Sequence, residues 1–125
     1  MKIVPLVERP ELVDQVAAWG FAEWGHLNPG QTLQSRAAQI RESMTVDRVP
    51  IVLVALDAGT LVGTASLLFD DLEGDPRNPW LASVFVPAER RGKGIASALV
   101  EAIEAAARRL GYPTLYLFTT SAARL

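Results

Sequence analysis

The chain has 125 residues, 50% of them hydrophobic, and carries 12 Lys/Arg against 14 Asp/Glu for a net charge of -2. That is the size of one α/β domain. It holds no cysteine and a single histidine, His26, which excludes a disulfide scaffold, a thiolate zinc site, a cysteine nucleophile and a His-rich metal site.

The charge is unevenly placed. Residues 1–86 carry six Lys/Arg and eleven Asp/Glu, and residues 87–125 carry six Lys/Arg and three Glu. The acidic half concentrates Asp70, Asp71, Glu73 and Asp75 in one short segment. A mildly acidic chain without a basic stripe argues against nucleic acid as a partner. No apolar stretch is long enough to span a bilayer. The start, Met1-Lys2-Ile3-Val4-Pro5, lacks the long apolar segment of a signal peptide. A cytoplasmic protein with no membrane partner is expected.

Residues 2–7 read as a first strand. From Pro10, the spacing of Leu12, Val13, Val16, Ala17 and Trp19 predicts a helix to about Trp24. Turn formers fill 25–30. Thr32 is placed to cap a second helix that runs to about Met44, with Leu33, Arg36, Ala37 and Ile40 periodic. The β-branched run over 50–56, a turn at 57–60 and a second run over 61–69 predict a hairpin. An acidic loop follows over 70–79, and then a strand over 80–86. The longest helix is expected over 92–110, ended by Gly111. A strand over 113–118 and the start of another helix over 119–125 complete the pattern. The expected order is β-α-α-β-β-β-α-β in a mixed sheet, with the last β-α-β piece a parallel crossover.

The most informative segment joins the strand over 80–86 to the long helix. It reads Val-Phe-Val-Pro-Ala-Glu-Arg-Arg-Gly-Lys-Gly-Ile-Ala-Ser. Gly92 and Gly94 let the backbone turn tightly and come close to a ligand. The first helix amides lack intrahelical acceptors and sit at the positive end of the helix. Arg90, Arg91 and Lys93 add charge beside them. Together these features suit a pyrophosphate. The competing reading is a plain strand-to-helix connection. A nucleotide P-loop does not fit, because no Gly-x-x-x-x-Gly-Lys-Ser/Thr is present. Ser83 and Ser97 have no histidine at motif spacing, which disfavours a hydrolase triad.

Arg91-x-x-Gly94-x-Ala96, following a strand and opening a helix, resembles the Gln/Arg-x-x-Gly-x-Gly/Ala signature of the GNAT superfamily of N-acetyltransferases. The element order resembles that family over almost the whole chain, 1–125, as a single domain. The resemblance implies acetyl-CoA as cosubstrate, no metal, and direct attack of a small-molecule primary amine on the thioester. It places the pyrophosphate on the backbone at Gly92, Lys93, Gly94, Ile95, Ala96 and Ser97, beside Arg91. It lays the pantetheine arm along Val84, Phe85 and Val86, on a strand that in this fold usually carries a bulge. A non-catalytic acyl-CoA-binding or sensing domain of the same fold is the alternative.

The weak candidates for catalytic acid or base are Asp70, Glu73 and His26. The acidic segment reads either as a solvated loop or as a rim that draws a cationic amine. His26 reads either as a solvated loop residue or as a catalytic one. Trp19 reads as core; Trp24 and Phe21 read as core or as pocket wall. Members of the family usually continue past the fifth strand with a helix and two further strands. The sequence stops at Leu125, where that helix would start. A homodimer that covers the edge of the fifth strand is a further expectation.

Overall fold

The computed structural model describes residues 1–69 and 77–117. Its elements are β1 (Lys2–Pro5), α1 (Val13–Trp24), α2 (Leu33–Arg41), β2 (Ile51–Asp57), β3 (Thr60–Leu68), β4 (Trp80–Phe85), α3 (Ile95–Arg109) and β5 (Tyr116–Leu117). This is the order expected from the sequence. The sheet runs β1-β2-β3-β4-β5. Its first three pairings are antiparallel, and β4 and β5 are parallel. The acidic segment at 70–76, including Asp70 and Glu73, lies outside the described residues, as do Phe118 and the helix expected over 119–125.

Several boundaries differ from the sequence expectation for clear reasons. Pro10–Leu12 forms a short 3-10 turn, and the α-helix proper begins at Val13. The second helix ends at Arg41, not near Met44. Its start is capped as expected. Thr32 Oγ1 accepts from the Ser35 amide at 3.0 Å, and Ser35 Oγ accepts from the Thr32 amide at 2.9 Å. This reciprocal pair satisfies two otherwise orphaned donors. The long helix begins at Ile95, not at Gly92, because Gly92 and Gly94 have φ of +78° and +80° and cannot be right-handed helix.

The sheet is covered on both faces. Residues Ile51 to Leu56 of β2 are all buried, as a strand sandwiched between helices requires. Ile51, Leu53 and Ala55 join Leu99 and Ile103 of α3 in one core cluster. Val52, Val54 and Leu56 join Val13, Val16 and Ala17 of α1 in the other. The only buried hydroxyl bond between strands runs from Thr64 Oγ1 to Leu53 O, 2.9 Å, among the described residues. Helix α3 stops in a left-handed cap. Gly111, at φ +89°, donates to Arg108 O, and Tyr112 donates to Ala107 O, both at 3.0 Å. Among the described residues no helix is long and apolar enough to cross a membrane.

Candidate active site

The turn between β4 and α3 is built from its residue types. Pro87 ends the strand and opens a 3-10 turn over Ala88–Arg90. Gly92 and then Gly94 take left-handed conformations, and Gly94 becomes the N-cap of α3. No side chain caps this 15-residue helix. Its first intrahelical bond runs from the Ala98 amide to Gly94 O at 3.0 Å. The amides of Ile95, Ala96 and Ser97 are therefore left without intrahelical acceptors. A Cβ placed on Gly92 or Gly94 would meet nothing within 4 Å, so the face of the turn is open. Donors, dipole and open space coincide there, and that combination accommodates a phosphate.

Two arginines hold the turn in place. Arg91 Nε donates to Val86 O at 2.9 Å, closing the loop onto the end of the strand. Arg90 Nη1 lies 3.6 Å from Asp57 Oδ2 in the β2–β3 turn. Lys93 is exposed. Ile95 is buried beneath the turn against Gly63 of β3, where a Cβ would come within 2.9 Å of Ile95 Cγ2 and Leu99 Cδ1. The missing side chain at residue 63 sets how closely the start of α3 approaches the sheet.

β4 carries the expected bulge. Thr64 pairs with Phe85 and Ser66 with Ala82, so two residues of β4, Ser83 and Val84, stand opposite one of β3. Ser83 takes φ +53°, rare for a residue with a side chain. The bulge has a consequence for side chains. Leu81 and Val86 pack on the α3 side. Strict alternation would put Phe85 with Leu81. The extra residue sends Phe85 to the α1 side instead, where its ring centroid lies 5.2 Å from Trp19 and 6.2 Å from Trp24.

The acetyltransferase (GNAT) family model matches residues 13–124. The chain belongs to the acetyltransferase (GNAT) family. Acetyl-CoA is the cosubstrate of this family, used without a metal. No curated protein matches the sequence significantly. Among solved structures, the aminoglycoside N-acetyltransferase AAC(6')-Iy in complex with coenzyme A aligns with TM-score 0.73 and 20% identity, over 95% of this chain and 76% of that one. The aminoglycoside 6'-N-acetyltransferase from Enterococcus faecium aligns with TM-score 0.68 and 26% identity, over 94% of this chain and 61% of that one. A predicted acetyltransferase from Clostridium acetobutylicum with acetyl-CoA aligns with TM-score 0.71 and 13% identity, over 94% of this chain and 80% of that one.

Of the remaining candidates in this GNAT chain, Asp70 and Glu73 lie outside the described residues. His26 lies exposed in a 3-10 turn over Gly25–Leu27, directly after α1. Trp19 and Trp24 are both partly buried and both meet Phe85, but only Trp19 packs against the α1-side core cluster, as its spacing suggests. Trp80 is buried and packs on Tyr116, with its Nε1 donating to Arg77 O at 2.6 Å. Sequence reasoning missed the Phe85 side chain, because that residue was read for its backbone alone. It also read Arg36 only as a periodic position of the second helix. Arg36 packs over the Trp24 ring, 5.7 Å from its centroid, and its Nη1 donates to Gln31 Oε1 at 3.1 Å. Burial pushes its pKa below the ordinary guanidinium value. A groove of about 420 Å³ lined by Lys2, Glu8, Arg9 and Gly59 contains none of the candidate residues.

Proposed function

We propose that this chain is a single N-acetyltransferase domain that moves an acetyl group from acetyl-CoA to a primary amine of a small molecule. The observation that carries the reading is the uncapped, open N-terminus of α3 behind two left-handed glycines, set beside a bulged β4. The family match and the coenzyme A complexes among its structural relatives support the same donor.

In this reading the pyrophosphate accepts hydrogen bonds from the backbone between Gly92 and Ser97. Lys93 adds charge, and Arg91 holds the turn in shape. The pantetheine arm lies along Val84, Phe85 and Val86. The bulge at Ser83 and Val84 turns backbone donors out of the regular ladder. One of them polarises the acetyl carbonyl and holds the oxyanion formed on attack. The neutral amine attacks the thioester carbon, the tetrahedral intermediate collapses, and the thiolate leaves. The ammonium proton passes to a base or a water chain. His26, Asp70 and Glu73 are the candidates for that base. Most of the acceleration then comes from positioning and oxyanion stabilisation.

The test is amine-dependent release of the coenzyme A thiol. Purified protein is mixed with acetyl-CoA and a panel of primary amines, with acetyl-CoA binding followed separately by calorimetry. Thiol release that requires an amine supports the transferase. Binding without turnover across the panel moves the assignment to an acyl-CoA-binding or sensing domain.

A further inference from the structure

We propose that Arg36 binds a carboxylate of the acceptor, so that the amine acetylated by this chain is acidic at its other end. The inference rests on the acetyltransferase reading above and names its acceptor class.

Arg36 differs from the ion-paired arginines of the described residues. Arg9 pairs with Glu11, Arg41 with Asp14 and Arg90 with Asp57. Those pairs are on the surface. Arg36 is half-buried and makes no ion pair among the described residues. Among the described residues Gln31 is the one acceptor for its five N–H groups. Its guanidinium lies flat against α1 at Gly20, where a Cβ would collide with Nε, Nη2 and Cζ. Glycine at residue 20 makes room for it, and Trp24 stacks beneath it. A guanidinium keeps its charge at neutral pH even when partly desolvated. A positive charge held in a half-dry place with donors to spare favours an oxyanion, and a carboxylate matches its fork with two parallel hydrogen bonds.

The position fits an acceptor site. Arg36 sits on the Trp24 ring, and Trp24 meets Phe85 edge to face. Phe85 follows the bulge residue Val84, where the thioester is proposed to lie. An acceptor with its carboxylate at Arg36 and its amine near the bulge would rest its apolar body on the Trp24 and Phe85 rings. A polyamine in the same place would put a second ammonium against the guanidinium, which like charges in a poorly screened setting disfavour.

A matched pair of acceptors tests this: para-(aminomethyl)benzoate and its uncharged amide, with spermidine as the polycation. Each is assayed by thiol release with wild type, Arg36→Gln and Arg36→Lys, and acetyl-CoA binding of every variant is measured by calorimetry. The wild type is expected to show a KM for the benzoate about tenfold or more below that for the amide. Arg36→Gln should bring the ratio close to one, and Arg36→Lys should fall between, since it keeps the charge and loses the fork. Should Arg36→Gln fail to fold, the wild-type ratio and the lysine variant decide alone. Equal KM values for the pair in wild type, or a preference for spermidine, overturn the carboxylate assignment and leave the transferase reading intact. Thiol release with no amine at all overturns the transferase reading, and this inference with it.

Discussion

Trp19 of α1 and Phe85 of β4 face each other across the sheet surface with ring centroids 5.2 Å apart. They meet only because the bulge at Ser83 and Val84 moves Phe85 to the α1 side. The strand proposed to hold the pantetheine arm and the helix proposed to wall the acceptor side are thus joined by one irregularity.

The bulge gives the first prediction. Ser83 is left-handed at φ +53°, a conformation that costs a non-glycine residue about 1 kcal/mol. Ser83→Gly should leave stability unchanged or raised. Ser83→Val should lower it by roughly 1–3 kcal/mol and reduce acetyl transfer, because a β-branched residue resists that conformation. Urea denaturation together with steady-state turnover measures both. Equal stability for the glycine and valine variants would mean that the bulge tolerates any residue.

Gly63 gives the second. A side chain there would press on Ile95 and Leu99, at 2.9 Å for the first carbon alone. Gly63→Val should cost roughly 1–3 kcal/mol through overpacking. It should also weaken acetyl-CoA binding, because Ile95 is the first residue of α3 and moves with the donor amides. Calorimetry beside a denaturation curve separates the two effects. A destabilised variant with unaltered affinity would uncouple residue 63 from the site.

Gly111 and Thr32 are the controls. Gly111, at φ +89°, ends α3 at the far end from the proposed phosphate turn. Gly111→Ala should cost about 1 kcal/mol of stability with acetyl-CoA affinity unchanged. Thr32→Ala removes the cap of α2 and should also cost about 1 kcal/mol. A drop in acetyl-CoA affinity in either variant would show that binding follows global stability and not the local turn.

Much of this was legible in the chain. Apolar, β-branched runs and helical spacing located the five strands and three α-helices among the described residues, and Gly92, Gly94 and Gly111 marked the ends of α3. The turn between β4 and α3 was legible because it is set by backbone conformation, which glycine spacing betrays. The Ser35 half of the cap on α2 was not, because serine is a common surface residue. Nor was the exact place of the bulge, since Ser83 is not the glycine that such a conformation usually selects. The shift of Phe85 to the other face depends on that bulge and went unread with it. Arg36 was hidden for another reason. Its setting is made by Gly20 and Trp24 on a different helix, and no local pattern around residue 36 reports a tertiary neighbour.

The most direct test of the central claim is a titration of isotope-labelled protein with acetyl-CoA, followed by the backbone amide signals. The account predicts that the largest shifts fall on Gly92, Gly94, Ile95, Ala96 and Ser97, with a second set on Val84 and Phe85. It further predicts that Gly94→Val abolishes them, because a branched side chain at φ +80° strains the turn and fills the open face. Saturable binding with those amides unmoved, or affinity unchanged in a folded Gly94→Val variant, would contradict it.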